Sequence, residues 1–168
     1  MKTKQAAAVI LFGVLSACGG GGSSSPSPAP APQPTPAQRA VVAATANPNP
    51  VIVVACTPDT CQAGFSWLGR STVTIRESAG LGGNVDFVNL TLRNQTTGFE
   101  LATLNYSADS IISRAGTNHV NPNASLDIPL GIVYNLAGGG RQATGTYAIQ
   151  FTDDRGNRTN LTITVPFI

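Results

Sequence analysis

Lysine is nearly missing from this 168-residue chain: Lys2 and Lys4 are the only two, both at the extreme N-terminus. Histidine is limited to His119, methionine to Met1, and charged residues to 11% of the whole. The longest apolar stretch near the N-terminus, Ala6 to Leu15, is ten residues broken by Gly13. A membrane-spanning helix needs about 20 apolar residues, so this stretch cannot cross a bilayer. Beyond Lys4 the positive charges are eight arginines: Arg39, Arg70, Arg76, Arg93, Arg114, Arg141, Arg155 and Arg158. They are matched by eight acids: Asp59, Glu77, Asp86, Glu100, Asp109, Asp127, Asp153 and Asp154. Nucleic-acid binding relies on clustered positive charge, and these arginines are scattered singly, so no nucleic-acid partner is expected.

The same shortages weigh against a metal, a cofactor or acid–base catalysis. Zinc usually takes four N/S ligands and blue copper takes two histidines with a cysteine. A single histidine does not supply either set. His119, in Gly116-Thr117-Asn118-His119, reads as a loop end, and no Gly-x-Ser-x-Gly motif supplies a serine nucleophile for it. Gly138-Gly139-Gly140-Arg141 lacks the Lys-Ser/Thr of a phosphate loop. It reads as an interstrand loop, as does Gly80-Leu81-Gly82-Gly83-Asn84. Asp153, Asp154 and Asn157 could hold a calcium ion weakly, but the alternating ligands of an EF-hand loop are missing. A simple turn is the preferred reading there.

The N-terminus carries the most specific motif. Lys2 and Lys4 precede the apolar stretch, which ends in Leu15-Ser16-Ala17-Cys18. This arrangement resembles the signal and lipobox of bacterial lipoproteins. The resemblance implies a signal peptide over residues 1–17, cleavage between Ala17 and Cys18, and palmitate-type lipid on the Cys18 thiol. One acyl chain anchors marginally and two or more anchor stably, and the family's modification carries more than one. Gly19, where an Asp would favour inner-membrane retention, implies the outer membrane in a Gram-negative cell. The partner implied is therefore the membrane itself, outside the cytoplasm.

Residues 18–46 read as a linker. Gly19 to Gly22 and Ser23 to Ser25 form a flexible run, and proline then occupies every second position from Pro26 to Pro36. Proline fixes φ and biases its predecessor to extended backbone, so these residues predict a stiff spacer of roughly 34 Å at about 3.1 Å per residue. Gln38 to Ala46 is Ala/Val-rich and compatible with a short helix, an extra strand or more linker. The turn signal Asn47-Pro48-Asn49-Pro50 marks the start of the domain, residues 47–168.

That domain reads as all-β. Val73 and Ile75 alternate with Thr72, Thr74 and Arg76. Val85 and Phe87 alternate, and the phase then shifts to Val88, Leu90 and Leu92, which predicts a β-bulge. Val51 to Cys56, Phe99 to Leu104, and the pair Ile111-Ile112 read as shorter strands. Leu126, Ile128, Leu130, Ile132, Tyr134 and Leu136 form an even-numbered stripe, with Pro129 and Gly131 opposite, as on an edge or bent strand. Two alternating runs close the chain: Tyr147, Ile149, Phe151, and then Leu161, Ile163, Val165, Phe167. No sustained 3.6 period follows residue 46, so helices should be scarce.

The segment from Gly145-Thr146-Tyr147 to Asp153-Asp154-Arg155-Gly156-Asn157 resembles the penultimate strand and final hairpin of bacterial immunoglobulin-like domains. The resemblance covers about the last 25 residues, and the remainder shares only the strand rhythm. It implies a single immunoglobulin-like or fibronectin-III-like antiparallel β-sandwich. Tyr147 is then the candidate tyrosine corner, Gly156 the positive-φ turn residue, and Trp67 a core residue or a half-exposed binding aromatic. With Cys18 lipidated, Cys56 and Cys61 remain as an even pair in an exported chain, which favours a disulfide around Thr57-Pro58-Asp59-Thr60. The functional expectation is a non-catalytic binding or structural module with a protein or glycan partner. The alternatives are an accessory subunit of an envelope complex or an enzyme of unrecognised type.

Overall fold

In the computed structural model, residues 38–136 and 140–168 are described. Alternating residues sort into two antiparallel sheets with their apolar sides facing inward, an all-β sandwich. The first sheet centres on β3 (Trp67–Glu77). One side of β3 pairs with β7 (Ser125–Tyr134) and the other with β1 (Val42–Asn47) and β2 (Val53–Ala55). The second sheet runs β5 (Glu100–Ser107), β4 (Gly83–Asn94), β8 (Ala143–Asp153), β9 (Arg158–Phe167), and the two-residue β6 (His119–Val120) also pairs with β4. Between β5 and β6 lies α1 (Ala108–Ala115).

The long stripe behaves as its period dictates: Leu126, Ile128, Leu130, Ile132, Tyr134 and Leu136 are all buried. Among the described residues β7 pairs with β3 alone, so Pro129 sits on an edge strand, where a missing amide donor is tolerated. The phase shift in β4 is a register shift between Val85 and Phe87 against β8. The outer face of the second sheet is uncharged over much of its area. Thr103, Thr91, Thr146 and Thr164 stand opposite one another across all four long strands.

Two expectations are corrected. Of the three readings open for residues 38–46 the extra strand is the one formed, paired in register from Val42–Glu77 to Asn47–Thr72, so the linker does not run to residue 46. Val42, Ala44 and Ala46 turn inward against the core; alanines are too small to make that alternation conspicuous. The folded domain therefore includes residues before the Asn47-Pro48-Asn49-Pro50 turn, which interrupts an edge instead of opening it. Ile111-Ile112 lie in a helix and not a strand. Ser107 caps the N-terminus of α1 through its side chain, Gly116 ends it at φ +81°, and Asp109 and Arg114 sit at the ends the helix dipole favours. Ile111 is buried and Ile112 exposed, and two adjacent apolar residues have no period to reveal this.

After the turn the chain bridges at Val51 to the end of β9 in the other sheet before β2 rejoins β3. The Val51 amide donates to Pro166 O at 2.8 Å, Ile168 N donates to Val51 O at 3.0 Å, and Val53 N donates to Ile168 O at 2.9 Å. Beneath this seam the Phe167 ring fills the space at Gly69 and Gly145, where any Cβ would collide with it. Gly145, the third residue of β8, is thus required by a neighbouring ring and not by its own φ.

Tyr147 does not form a tyrosine corner. Its hydroxyl meets the Ser71 Oγ of the opposite sheet at 2.6 Å, deep in the core. Because Tyr147 alternates in phase with Ile149 and Phe151, it points across the sandwich and not along its own backbone. Tyr106 makes a second inter-sheet bond, donating to Gly131 O at 2.6 Å. Tyr147→Phe should leave the Ser71 hydroxyl buried and unpaired, at a cost of about 1–3 kcal/mol in urea unfolding. The double variant Tyr147→Phe with Ser71→Ala should recover part of that loss. Additive losses would show that the pair is not coupled.

Candidate functional site

The polar groups most firmly built into the sandwich are two buried carboxylates. Glu77 follows Val73 and Ile75 in phase and so ends β3 on its core face, fully buried. Its Oε1 accepts from Ala79 N at 2.6 Å and Val41 N at 3.4 Å, and its Oε2 accepts from Asn123 N at 2.9 Å and Gly80 N at 3.0 Å. Asp153 follows Tyr147, Ile149 and Phe151 in phase and ends β8 in the same way. Its Oδ1 accepts from Asn157 N at 2.8 Å and Arg155 N at 3.0 Å. Its Oδ2 accepts from Asn157 Nδ2 at 3.0 Å and from Ala40 N at 3.3 Å.

These contacts make the two acids structural. Glu77 organises the β3–β4 turn and the approach to β7, where Asn123 holds a positive φ of 56°. Asp153 organises the final hairpin, where Gly156 takes φ +83° as its place in the turn demands. The consecutive amides of Ala40 and Val41 reach one acid in each sheet. Gln38 is also held: its Nε2 donates to Ala79 O at 3.1 Å, and the Arg155 guanidinium donates to its carbonyl and side chain at 3.4 Å each. The charge on Glu77 is met by backbone amides, and that on Asp153 by backbone amides together with the Asn157 side-chain amide. Among the described residues the one ion pair is Arg93–Glu100, at 3.4 Å on the surface.

Both carboxyls titrate low. For Glu77 burial is the largest single effect and would raise its pKa, but the amides of Asn123, Ala79, Gly80 and Leu81 together outweigh it. For Asp153 burial again acts upward and is outweighed by the Asn157 side chain and the Asn157, Ala40 and Arg155 amides. The Asp153–Asn157 turn is therefore built around its own acid, which is already engaged by donors.

The other sequence candidates lie apart. Cys56 and Cys61 are joined by a disulfide, with Cα atoms 5.4 Å apart, in the loop between β2 and β3. The enclosed turn is tied by Cys61 N to Thr57 O and by Thr57 N to Thr60 Oγ1. So small a ring contributes only about 2 kcal/mol on the loop-entropy estimate, enough to pin a loop. Trp67 is half-buried against the core, and its Nε1 is shielded without a partner. His119 begins β6, with Nδ1 3.2 Å from Asn84 Oδ1. Gly82 and Gly83 meet the final hairpin, and Gly82 O accepts from Asp154 N. Cys18, residues 1–17 and the rest of the Gly/Ser and Pro runs lie outside the described residues, as do Gly138 and Gly139. Among the described residues no three His, Cys, Asp or Glu side chains gather as metal ligands would, and no helix is long and apolar enough to cross a membrane.

No protein-family model and no curated protein matches the chain. Among solved structures, the chain is similar to a Northeast Structural Genomics Consortium target. The TM-score is 0.50 with 12% identity, over 77% of this chain and 84% of that one. It is also matched to a Bordetella pertussis protein given the provisional name ApaA, at TM-score 0.49 and 8% identity, over 76% of this chain and 92% of that one. At such identities the first likeness shows the sandwich fold alone.

Glu77, which no sequence motif marked, and Asp153, expected only as a turn residue, carry a pH dependence. A carboxyl whose folded pKa lies below its unfolded value stabilises the fold fully above the unfolded pKa and loses that contribution as pH falls. The ordinary values are 4.5 for Glu77 and 3.8 for Asp153, so the protein should lose stability progressively below about pH 4.5. Glu77→Gln should cost on the order of 2 kcal/mol at pH 7, because its amide nitrogen faces backbone donors. Urea unfolding at pH 7 and pH 3 checks this: the gap to the wild type should narrow at pH 3. A gap independent of pH would count against the assignment.

Proposed function

We infer that the chain is a lipid-anchored envelope protein that holds an immunoglobulin-like module off the membrane to bind a protein or glycan partner or to serve a structural role. The lipobox-like Leu15-Ser16-Ala17-Cys18 supports the anchor, and the alternate prolines from Pro26 to Pro36 support the spacer. The immunoglobulin-like reading is supported by the hairpin of β8 and β9, and by an N-terminal edge that pairs with β3 and then with the end of β9.

One observation carries the reading. The chain leaving the proline run is clamped at its first described residues: Gln38 by Ala79 and Arg155, Ala40 by Asp153, Val41 by Glu77. A spacer is useful only if its far end is fixed to the domain, and here the grip reaches both sheets. The non-catalytic reading is favoured by the use of the two buried acids. They are engaged by backbone amides, and at Asp153 by the Asn157 side chain as well, and so hold turns instead of exchanging protons with a substrate.

Cell fractionation of Cys18→Ser tests the anchor. The variant should leave the membrane fraction while its domain keeps the wild-type unfolding midpoint. A variant still membrane-bound after high-salt washing would refute the lipid anchor.

A further inference from the structure

The outer face of the first sheet contains a cleft of about 440 Å³ that no expectation from sequence assigned. It is lined by Asn47 of β1, Arg70 and Thr72 of β3, Pro129 and Gly131 of β7, and Arg114 of α1. The register explains the hollow. Thr72 stands between Asn47 and Pro129, and Arg70 stands opposite Gly131, which has no side chain to fill the space. A Cβ at Gly131 would make only ordinary contacts, the Arg70 Cγ lying 3.8 Å away.

Arg114 is held at the rim by a short relay. Tyr106 donates its hydroxyl to Gly131 O, and the Arg114 guanidinium rests over the Tyr106 ring at 5.0 Å from its centroid. Among the described residues, two guanidinium-bearing side chains therefore line one cavity and no carboxylate lines it with them. Neither forms an ion pair among the described residues. Asp109 shares only the neighbouring hollow with Arg114. Asp127, on the same sheet face, is one residue pair beyond Thr72–Pro129 on that face and takes the Thr74 hydroxyl at 2.7 Å.

We propose that this cleft binds a small ligand through an oxyanion group, a carboxylate or a phosphate, held by Arg70 and Arg114. Guanidinium forks match both groups with paired hydrogen bonds. Asn47 and Thr72 place neutral hydrogen-bonding groups beside them, and the volume falls within the range of about 300–1,000 Å³ usual for small-molecule sites. The site goes beyond the anchoring reading and does not depend on it.

Equilibrium dialysis of the full chain at low salt, with inorganic phosphate in one arm and glucuronate in the other, tests this. Saturable uptake at one site per chain is expected in at least one arm, and the arm that binds identifies the oxyanion. Arg70→Gln and Arg114→Gln should each weaken binding at least tenfold, with the unfolding midpoint unchanged in Arg70→Gln, whose side chain is exposed, and slightly lowered in Arg114→Gln, which gives up a charge at the end of α1 and its contact with the Tyr106 ring. Gly131→Gln, which fills the hollow and keeps both charges, should weaken it as well. Arg76→Gln, on the same sheet face outside the cleft, should leave it unchanged. Absence of saturable uptake in both arms, or an equal loss in Arg76→Gln, would overturn the proposal.

Discussion

Two buried carboxylates, each gripped by backbone amides, set the geometry of one end of this sandwich. Burying an isolated charge is prohibitive, and a carboxylate is tolerated inside a protein only when donors surround it. Glu77 and Asp153 each gather their donors from segments that are otherwise loops. Those loops cannot drift without leaving a charge unsatisfied. The Ala40 amide belongs to the Asp153 set and the Val41 amide to the Glu77 set, so the chain entering the first strand is placed by the same interaction that shapes the turns.

The rest of the core follows from what that end fixes. The opposite side of the sandwich is stitched by Val51 and Val53 to the last residues of the chain. Between these ends the sheets are spanned by Tyr147–Ser71 and Tyr106–Gly131, each a buried hydroxyl with a defined partner. Buried polar pairs of this kind add little net free energy but penalise any register in which they are broken. Tyr106 also links this interior order to the surface, since its ring carries Arg114 at the cleft.

Much of the fold was legible in the sequence because period-2 alternation is direct evidence of a two-faced strand. The stripe from Leu126 to Leu136, the β4 phase shift and the last two strands followed from it, while Gly156 followed from the turn between those strands. The Cys56–Cys61 bridge followed from counting cysteines once Cys18 was set aside. What escaped has identifiable causes. Residues 42–47 alternate with alanines, whose weak contrast hides a strand. Ile111-Ile112 is too short to show a helical period, although Ser107 and Gly116 were available as caps. Tyr147 was assigned by resemblance to a backbone partner, but its phase with Ile149 and Phe151 directed it to Ser71 across the core. Glu77 went unassigned although it continues the core phase of Val73 and Ile75, and Asp153 was read only as a turn residue although it continues that of Ile149 and Phe151. The arginine cleft was illegible, because Arg70 and Arg114 are 44 positions apart and meet only through the β3–β7 register and the placement of α1.

The central claim is that the two acids lock the amides around them as one unit. Native-state hydrogen exchange reads this directly at Ala40, Val41, Ala79, Gly80, Asn123, Arg155 and Asn157. The account predicts that near neutral pH these amides share the protection of the core strands, and that their protection falls together as the pH drops below about 4. Exchange of Ala40 and Val41 at unprotected rates while β3 and β8 remain protected would contradict it.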